Sequence, residues 1–168
     1  MTWATEAAIA AAGGRAVVSR TGHVFLKRAL REHGAAYGGE MSAHHYFHEF
    51  YSCDSGMIPW LLIAQLVGEG DRSLSEHVAA AQAAFPCSGE INFRLDDTAA
   101  ALARVEDAFA GTGQREDIDG VSYSFADWRF NVRLSNTEPL LRLNVETRGD
   151  PELLSEKTGE LQGLIEAA

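Results

Sequence analysis

Cysteine is scarce in this chain of 168 residues: there are two, Cys53 and Cys87, far apart and outside any C-x-x-C pair. That excludes a disulfide framework and a thiolate zinc site, and both read as ordinary buried thiols of a reducing compartment. Basic charge is also short. Fourteen Lys and Arg against twenty-four Asp and Glu leave a formal net charge of −10. A field of that sign repels phosphate backbones and anionic headgroups, so neither nucleic acid nor membrane is an expected partner. Long apolar runs are missing. The most apolar stretch, Met57 to Val67, contains Pro59 and Gln65 and is too short to span a bilayer. No basic segment precedes the alanine run at the start, so no targeting signal is expected and the cytoplasm is the expected compartment. Neither an internal repeat nor a low-complexity segment is visible. What is present suits a globular protein: 46% hydrophobic and 23% charged residues, enough to bury a core in one domain or two small ones.

The first half alternates helical and strand patterns. Alanines over 4–12 share a helical face that Gly13-Gly14 stops, and Ala16-Val17-Val18 reads as a short strand. Phe25, Leu26 and Leu30 form a helical stripe over 24–33, closed by Gly34. Ala35-Ala36-Tyr37 suggests a strand running into Gly38-Gly39. A helix follows from about Ser55 to Leu66, with Pro59 tolerable only in its first turn. Ser73 and Glu76 form a capping box ahead of Leu74, Val78, Ala81 and Phe85. This order predicts an α/β layered domain over 1–84, with a parallel component in a mixed sheet. The character changes at Phe85-Pro86-Cys87-Ser88-Gly89. Glu90 to Leu95 then reads as a strand, Asp97 to Phe109 as a helix, and Asp119-Gly120 as a hairpin turn. Strict alternation over Trp128–Leu134 and Leu141–Thr147 predicts an antiparallel pair with one dry and one wet face. A helix over 151–166 completes a small α+β domain, 85–168, in which two helices cover an antiparallel sheet.

Three clusters carry candidate chemistry. Ser135-Asn136-Thr137-Glu138-Pro139 connects the alternating strands, between Arg133 and Arg142 on the wet face. Hydroxyls, exposed N–H groups and two guanidinium groups are what a phosphate monoester requires. The competing reading is a polar hairpin whose arginines pair with Glu138 and Glu146. In Gly38-Gly39-Glu40-Met41-Ser42-Ala43-His44-His45-Tyr46-Phe47, Glu40, Ser42 and His44 alternate, so an extended loop would aim all three one way, toward vicinal sugar hydroxyls. Two rival readings stand beside that one. His44 and His48, one helical turn apart, could bind a metal with Glu40 or Asp54, or the cluster is a surface loop without function. Thr21-Gly22-His23 is the third and weakest cluster. Asp117 and Asp119 are spaced like part of a cation loop, but the hairpin explains them better.

Taken in order, Thr21-Gly22-His23, Gly39-Glu40-Met41-Ser42-Ala43-His44 and Arg133-x-Ser135-Asn136-Thr137-Glu138-Pro139 resemble the C-terminal portion of the α-D-phosphohexomutases. The likeness is greatest to their bacterial phosphomannomutase branch. It also takes in Asp54 to Ile63 and Asp127 to Asp150, and so covers nearly the whole chain. Members have four domains, and the resemblance implies most of a third domain (1–84, opening strand missing) and a complete fourth (85–168). It implies that Glu40 and Ser42 grip hexose hydroxyls, with His44, His23 and Gly22 beside the sugar and phosphate. Arg133, Ser135, Asn136 and Thr137 would hold the phosphate that is not transferred, with Arg142 assisting.

The implied reaction interconverts mannose 6-phosphate and mannose 1-phosphate through a phosphoserine and a bisphosphate that reorients. A hinge at Phe85 to Gly89 would serve that reorientation. The family's phosphoserine loop and its Asp-Gly-Asp-Gly-Asp-Arg magnesium loop belong to the first two domains and do not occur here. Mg2+ is therefore expected in the full enzyme and not in this chain, and the chain alone is expected to be inactive. Its expected partners are hexose phosphates and the N-terminal domains of the same enzyme. Arg20 replaces a common lysine before Thr21, which retains charge but alters hydrogen-bond geometry. Ala43 and His45-Tyr46-Phe47 favour the phosphomannomutase branch over the glucosamine-phosphate branch. A non-catalytic module that binds phosphosugars or a partner chain is the alternative.

Overall fold

Period-two alternation is strongest between Trp128 and Thr147, and there the chain builds its longest strands. The computed structural model describes residues 3–135 and 138–167. Its helices are α1 (Trp3–Ala11), α2 (His23–His33), α3 (Met57–Glu69), α4 (Leu74–Ala84), α5 (Thr98–Phe109) and α6 (Pro151–Glu166). The strands are β1 (Tyr37–Gly39), β2 (His45–Phe47), β3 (Cys53–Asp54), β4 (Ile91–Arg94), β5 (Gln114–Glu116), β6 (Val121–Ser124), β7 (Trp128–Leu134) and β8 (Leu140–Thr147). Two units divide within α4: residues 5–80 form the first, and residues 81–167 with 3–4 form the second.

In the first unit β1, β2 and β3 form a sheet in that order, with every pair antiparallel. Its buried core is Leu26 and Leu30 of α2 and Tyr46 of β2, with Ala35 packed against them. Gly38 makes this packing possible. A Cβ there would stand 2.6 Å from Leu30 Cδ1, so only glycine lets α2 lie so close to β1. Gly34 closes α2 in the left-handed region, φ 58°, and donates its N–H to Leu30 O. The capping box forms: Ser73 N–H and Oγ both donate to Glu76 Oε2, each at 2.7 Å. By contrast, α3 buries none of its residues.

Two expectations for this unit are corrected. Ala16-Val17-Val18 is irregular, because no described strand runs beside it to take its backbone donors and acceptors. No parallel pair forms among the described residues. The connections between β1, β2 and β3 are short turns, and a parallel pair needs a crossover of about a dozen residues or more.

The second unit is a five-stranded antiparallel sheet, ordered β4-β8-β7-β6-β5, with α5 and α6 packed on one face. The α+β architecture expected of this half is present. Ala101, Val105 and Phe109 of α5 and Leu161 and Ile165 of α6 meet Phe130, Val132, Leu141, Leu143 and Val145 of the strands. Asp97 and Asp150 cap the helices by accepting N–H bonds from Ala100 and Leu153. Asp119-Gly120 turns the chain between β5 and β6. Gly120 has φ 74°, and a Cβ there would lie 2.5 Å from Arg133 Cβ. The opposite, polar face carries the rungs Arg129 with Glu146, Asn131 with Asn144, and Arg133 with Arg142. Trp3 lies against this unit. Its backbone N–H donates to both oxygens of Glu146, at 2.9 and 3.0 Å, and its ring meets the guanidinium groups of Arg148 and Arg129. Cys87 is exposed and Cys53 half-buried, so the expected burial of both thiols does not hold.

Candidate functional site

The first unit carries a cavity of about 440 Å³ lined by Gly22, His23, Lys27, Glu40, Ser42, His44, Tyr46 and Asp54. All five sequence-predicted residues of this half converge there. They do so by a route other than the extended loop expected. Residues 40–44 form the turn of the β1–β2 hairpin: Ala43 N–H donates to Glu40 O at 3.1 Å, and Glu40 N–H to His44 O at 3.0 Å. Ala43 adopts φ 63° to close it, a left-handed position that costs a residue with a Cβ of the order of 1–2 kcal/mol.

Glu40 joins the hairpin to α2. Gly22 N–H donates to its Oε1 at 2.6 Å, and Tyr46 Oη donates to its Oε2 at 2.7 Å. A carboxylate at a helix N-terminus satisfies a donor that lacks an intrahelical partner and lies favourably in the helix dipole. Each carboxylate oxygen keeps a second lone pair for a ligand hydroxyl. Burial, and then the bond to Glu40, push the Tyr46 phenol well above its ordinary value, so it remains a donor.

His44 is held by Asp54, whose Oδ2 lies 2.7 Å from Nδ1. A carboxylate only accepts, so Nδ1 carries a proton and Nε2 is the ring atom available to a ligand. The hydrogen bond to Asp54, and then its charge, raise His44 above the ordinary imidazole value. The same bond, with His45 N–H at 3.0 Å, lowers Asp54. Such an imidazole can donate to an oxygen when charged or accept a hydroxyl proton when neutral.

Sequence reasoning missed Lys27 and Tyr46 as lining residues and weighed Asp54 only as a metal ligand. Lys27 was within reach, because it lies one helical turn from His23 on α2. Asp54 was not, because its place depends on the Tyr46–Asp54 register between β2 and β3. Among the described residues, no three His, Cys, Asp or Glu are placed to hold a metal ion.

The second cluster lies on the polar face of the second unit. Arg133 and Arg142 share the polar face that their alternation assigned them, and the register makes them direct cross-strand partners. Neither pairs as the polar-hairpin reading required. Arg133 Nη2 lies 2.9 Å from Glu90 Oε2, and Arg142 Nη1 lies 3.4 Å from Glu90 Oε1. Glu146 instead binds Arg129, at 2.8 Å. Glu90 was not anticipated, and no sequence signal marks it, since only the pairing of β4 with β8 brings it there. Ser135 N–H donates to Leu140 O at 2.9 Å, closing the base of the loop. Asn136 and Thr137 lie outside the described residues.

Comparison with known proteins gives the family and the fold. Residues 1–85 match the family "Phosphoglucomutase/phosphomannomutase, alpha/beta/alpha domain III", and residues 90–159 match "Phosphoglucomutase/phosphomannomutase, C-terminal domain". A phosphomannomutase of Salmonella montevideo is 59% identical over 166 residues, which cover 98% of this chain and 36% of that protein. A phosphomannomutase of Escherichia coli K12 is 53% identical over the same share of both. A protein described as phosphohexose mutases, from Xanthomonas campestris pv. campestris, is 55% identical, covering 98% of this chain and 37% of its own length. A crystal structure of a phosphoglucomutase/phosphomannomutase family protein from Burkholderia thailandensis shares the fold. Its TM-score is 0.70 at 24% identity, over 93% of this chain and 34% of that one. The chain belongs to the phosphoglucomutase/phosphomannomutase family, whose third and C-terminal domains it matches. It spans about a third of the length of the curated relatives it matches.

Proposed function

We propose that this chain is the sugar- and phosphate-binding part of a phosphomannomutase. The cavity that gathers Glu40, Ser42 and His44 around the N-terminus of α2 carries the reading. Glu40 and Ser42 accept from and donate to hexose hydroxyls, and His44 and His23 flank the sugar, with Gly22 at the head of the helix. His44 Nε2 is placed to exchange a proton with a hydroxyl at the reacting position, while Asp54 fixes the ring. Arg133, Ser135, Asn136, Thr137 and Arg142 bind the phosphate that stays on the sugar. The domain division proposed for these roles is 1–84 for the sugar and 85–168 for the phosphate.

The reaction interconverts mannose 6-phosphate and mannose 1-phosphate in the cytoplasm. A phosphoserine of the N-terminal domains donates to the free sugar position, and the other phosphate returns to that serine after the bisphosphate reorients. Magnesium, held by those domains when bound, would supply charge neutralisation for the transferred phosphoryl group, and this chain's residues take no part in holding it. This chain contributes binding and orientation, and is inactive alone.

Mixing the chain with the N-terminal half of a relative tests the reading. Mutase activity should appear only in the mixture, and Glu40→Gln should lower kcat/KM there roughly 10-fold or more. The neutral amide forfeits the charge-assisted bonds, ~1.5–3 kcal/mol each, for neutral ones of ~1. Ligand binding that persists with no activity under any mixture would instead identify a phosphosugar-binding module. Binding without dependence on Glu40 would remove that residue from the sugar site.

A further inference from the structure

We propose that Glu90 tempers the phosphate site, acting as a built-in counter-ion shared by Arg133 and Arg142. The inference rests on the reading of those arginines as phosphate ligands. The two guanidinium groups stand on directly opposed residues of β7 and β8, where like charges repel. Glu90 relieves that repulsion with one oxygen for each arginine, Oε2 to Arg133 at 2.9 Å and Oε1 to Arg142 at 3.4 Å. Its place is set by the sheet. Asn92 pairs with Arg142 across β4 and β8, and Glu90, two residues earlier, lies on the same polar face.

This arrangement leaves most of the binding capacity open. A guanidinium carries five N–H donors, and Glu90 meets one nitrogen of each. Arg142 Nε is buried and meets no acceptor among the described residues, so the ligand-facing donors of Arg142 are the terminal nitrogens of its partly exposed guanidinium. Side chains of all three residues are partly exposed, at 21% for Arg133, 24% for Arg142 and 32% for Glu90, so a ligand reaches them. Glu90 thus has two effects. It ties the arginines into one fork of fixed spacing, and it lowers their joint charge from two to one. The site consequently binds a phosphate monoester through directed bonds but with less electrostatic attraction than two bare arginines would supply. A substrate that must be gripped, released and gripped again in a second orientation needs a site of that kind.

Titrating the 168-residue chain with mannose 6-phosphate and with inorganic phosphate, by NMR at low and moderate salt, tests the proposal. Glu90→Gln keeps the size and removes the charge, and should bind both ligands roughly 3- to 5-fold more tightly, with a steeper salt dependence. Glu90→Ala also removes the charge and answers the same question if the amide is not tolerated. Glu90→Asp keeps the charge and should stay within about 2-fold of the parent. Unchanged or weaker binding in the two neutral variants, or equal tightening in Glu90→Asp, overturns the role of Glu90. Arg133→Ala tests the underlying reading separately. If it binds like the parent, the loop is not the phosphate site and the proposal falls with it.

Discussion

The two units organise their side chains by different means. In the second, thirteen buried residues form one cluster between the sheet and two helices, so position follows from packing. Phe109 alone meets the rings of Tyr123, Phe125, Trp128 and Phe130. The first unit has three buried core residues, and α3 leaves Met57, Trp60, Leu61 and Leu62 more than half exposed. Yet it holds a cavity whose lining is ordered, and the means are polar. Glu40 ties α2 to the hairpin, and Asp54 ties β3 to His44. One unit positions its arginines on a framework that stands by burial. The other positions the side chains of its cavity by hydrogen bonds on a framework whose apolar faces are largely uncovered.

Separating the units should give the largest effect. Residues 81–168 expressed alone should unfold cooperatively on heating, because the complete core cluster lies within them. The Arg129–Glu146 bond is also internal to that piece. Residues 5–80 alone should show no cooperative transition and should bind a hydrophobic dye. Ordering costs about 1–2 kcal/mol of backbone entropy per residue, and three buried side chains, at roughly 1.5–3 kcal/mol each, offset little of it. Calorimetry and dye fluorescence on the two pieces read the difference. A sharp transition in residues 5–80 would show that the polar bonds suffice as a framework.

Single substitutions sharpen the same contrast at smaller magnitude. Leu143 is fully buried in the second unit, and Leu143→Ala should cost about 2–5 kcal/mol in urea unfolding, through lost burial and the cavity left behind. Leu62 on α3 is 54% exposed. Leu62→Ser should change stability by less than about 0.5 kcal/mol and should reduce self-association by trimming an exposed apolar patch. Comparable losses in the two variants would mean that α3 is covered in solution.

The same contrast explains what could be read from the sequence. Elements of the second unit were legible because one face of each strand is dry, so alternation over Trp128–Leu134 and Leu141–Thr147 reports burial directly. That alternation also put Arg133 and Arg142 on one polar face. In the first unit the strands β2 and β3 are too short to display a period, and both went unread. Ala16–Val18 has a strand's composition without a neighbour, and composition cannot supply one. Site residues were legible as chemistry more than as geometry. Glu40, Ser42 and His44 do line one cavity, but through a turn with Ala43 in the left-handed region. Asp54 and Glu90 depend on register between strands, which no local pattern encodes.

The smallest effect is also the most local. His44 and Asp54 are both exposed enough to titrate freely, so their pairing is legible by pH rather than by melting. The Asp54 bond raises His44 above its ordinary 6.5, and the His44 bond lowers Asp54 below its ordinary 3.8. The signs fix the window. A raised histidine contributes its share below 6.5 and loses it as pH rises through its elevated folded value. A lowered carboxylate contributes above 3.8 and loses its share as pH falls through its depressed folded value. The pair is therefore at full strength between those two ordinary values and weakens on either side. Asp54→Asn should lower the His44 midpoint toward its ordinary 6.5, read from the ring resonances in NMR, and should leave the core resonances of the second unit unmoved. Because the cavity of the first unit is held by such bonds, the variant should also broaden the resonances of Glu40 and Tyr46. If the His44 midpoint stays high in Asp54→Asn, the raised value comes from elsewhere in the cavity and Asp54 does not position the ring.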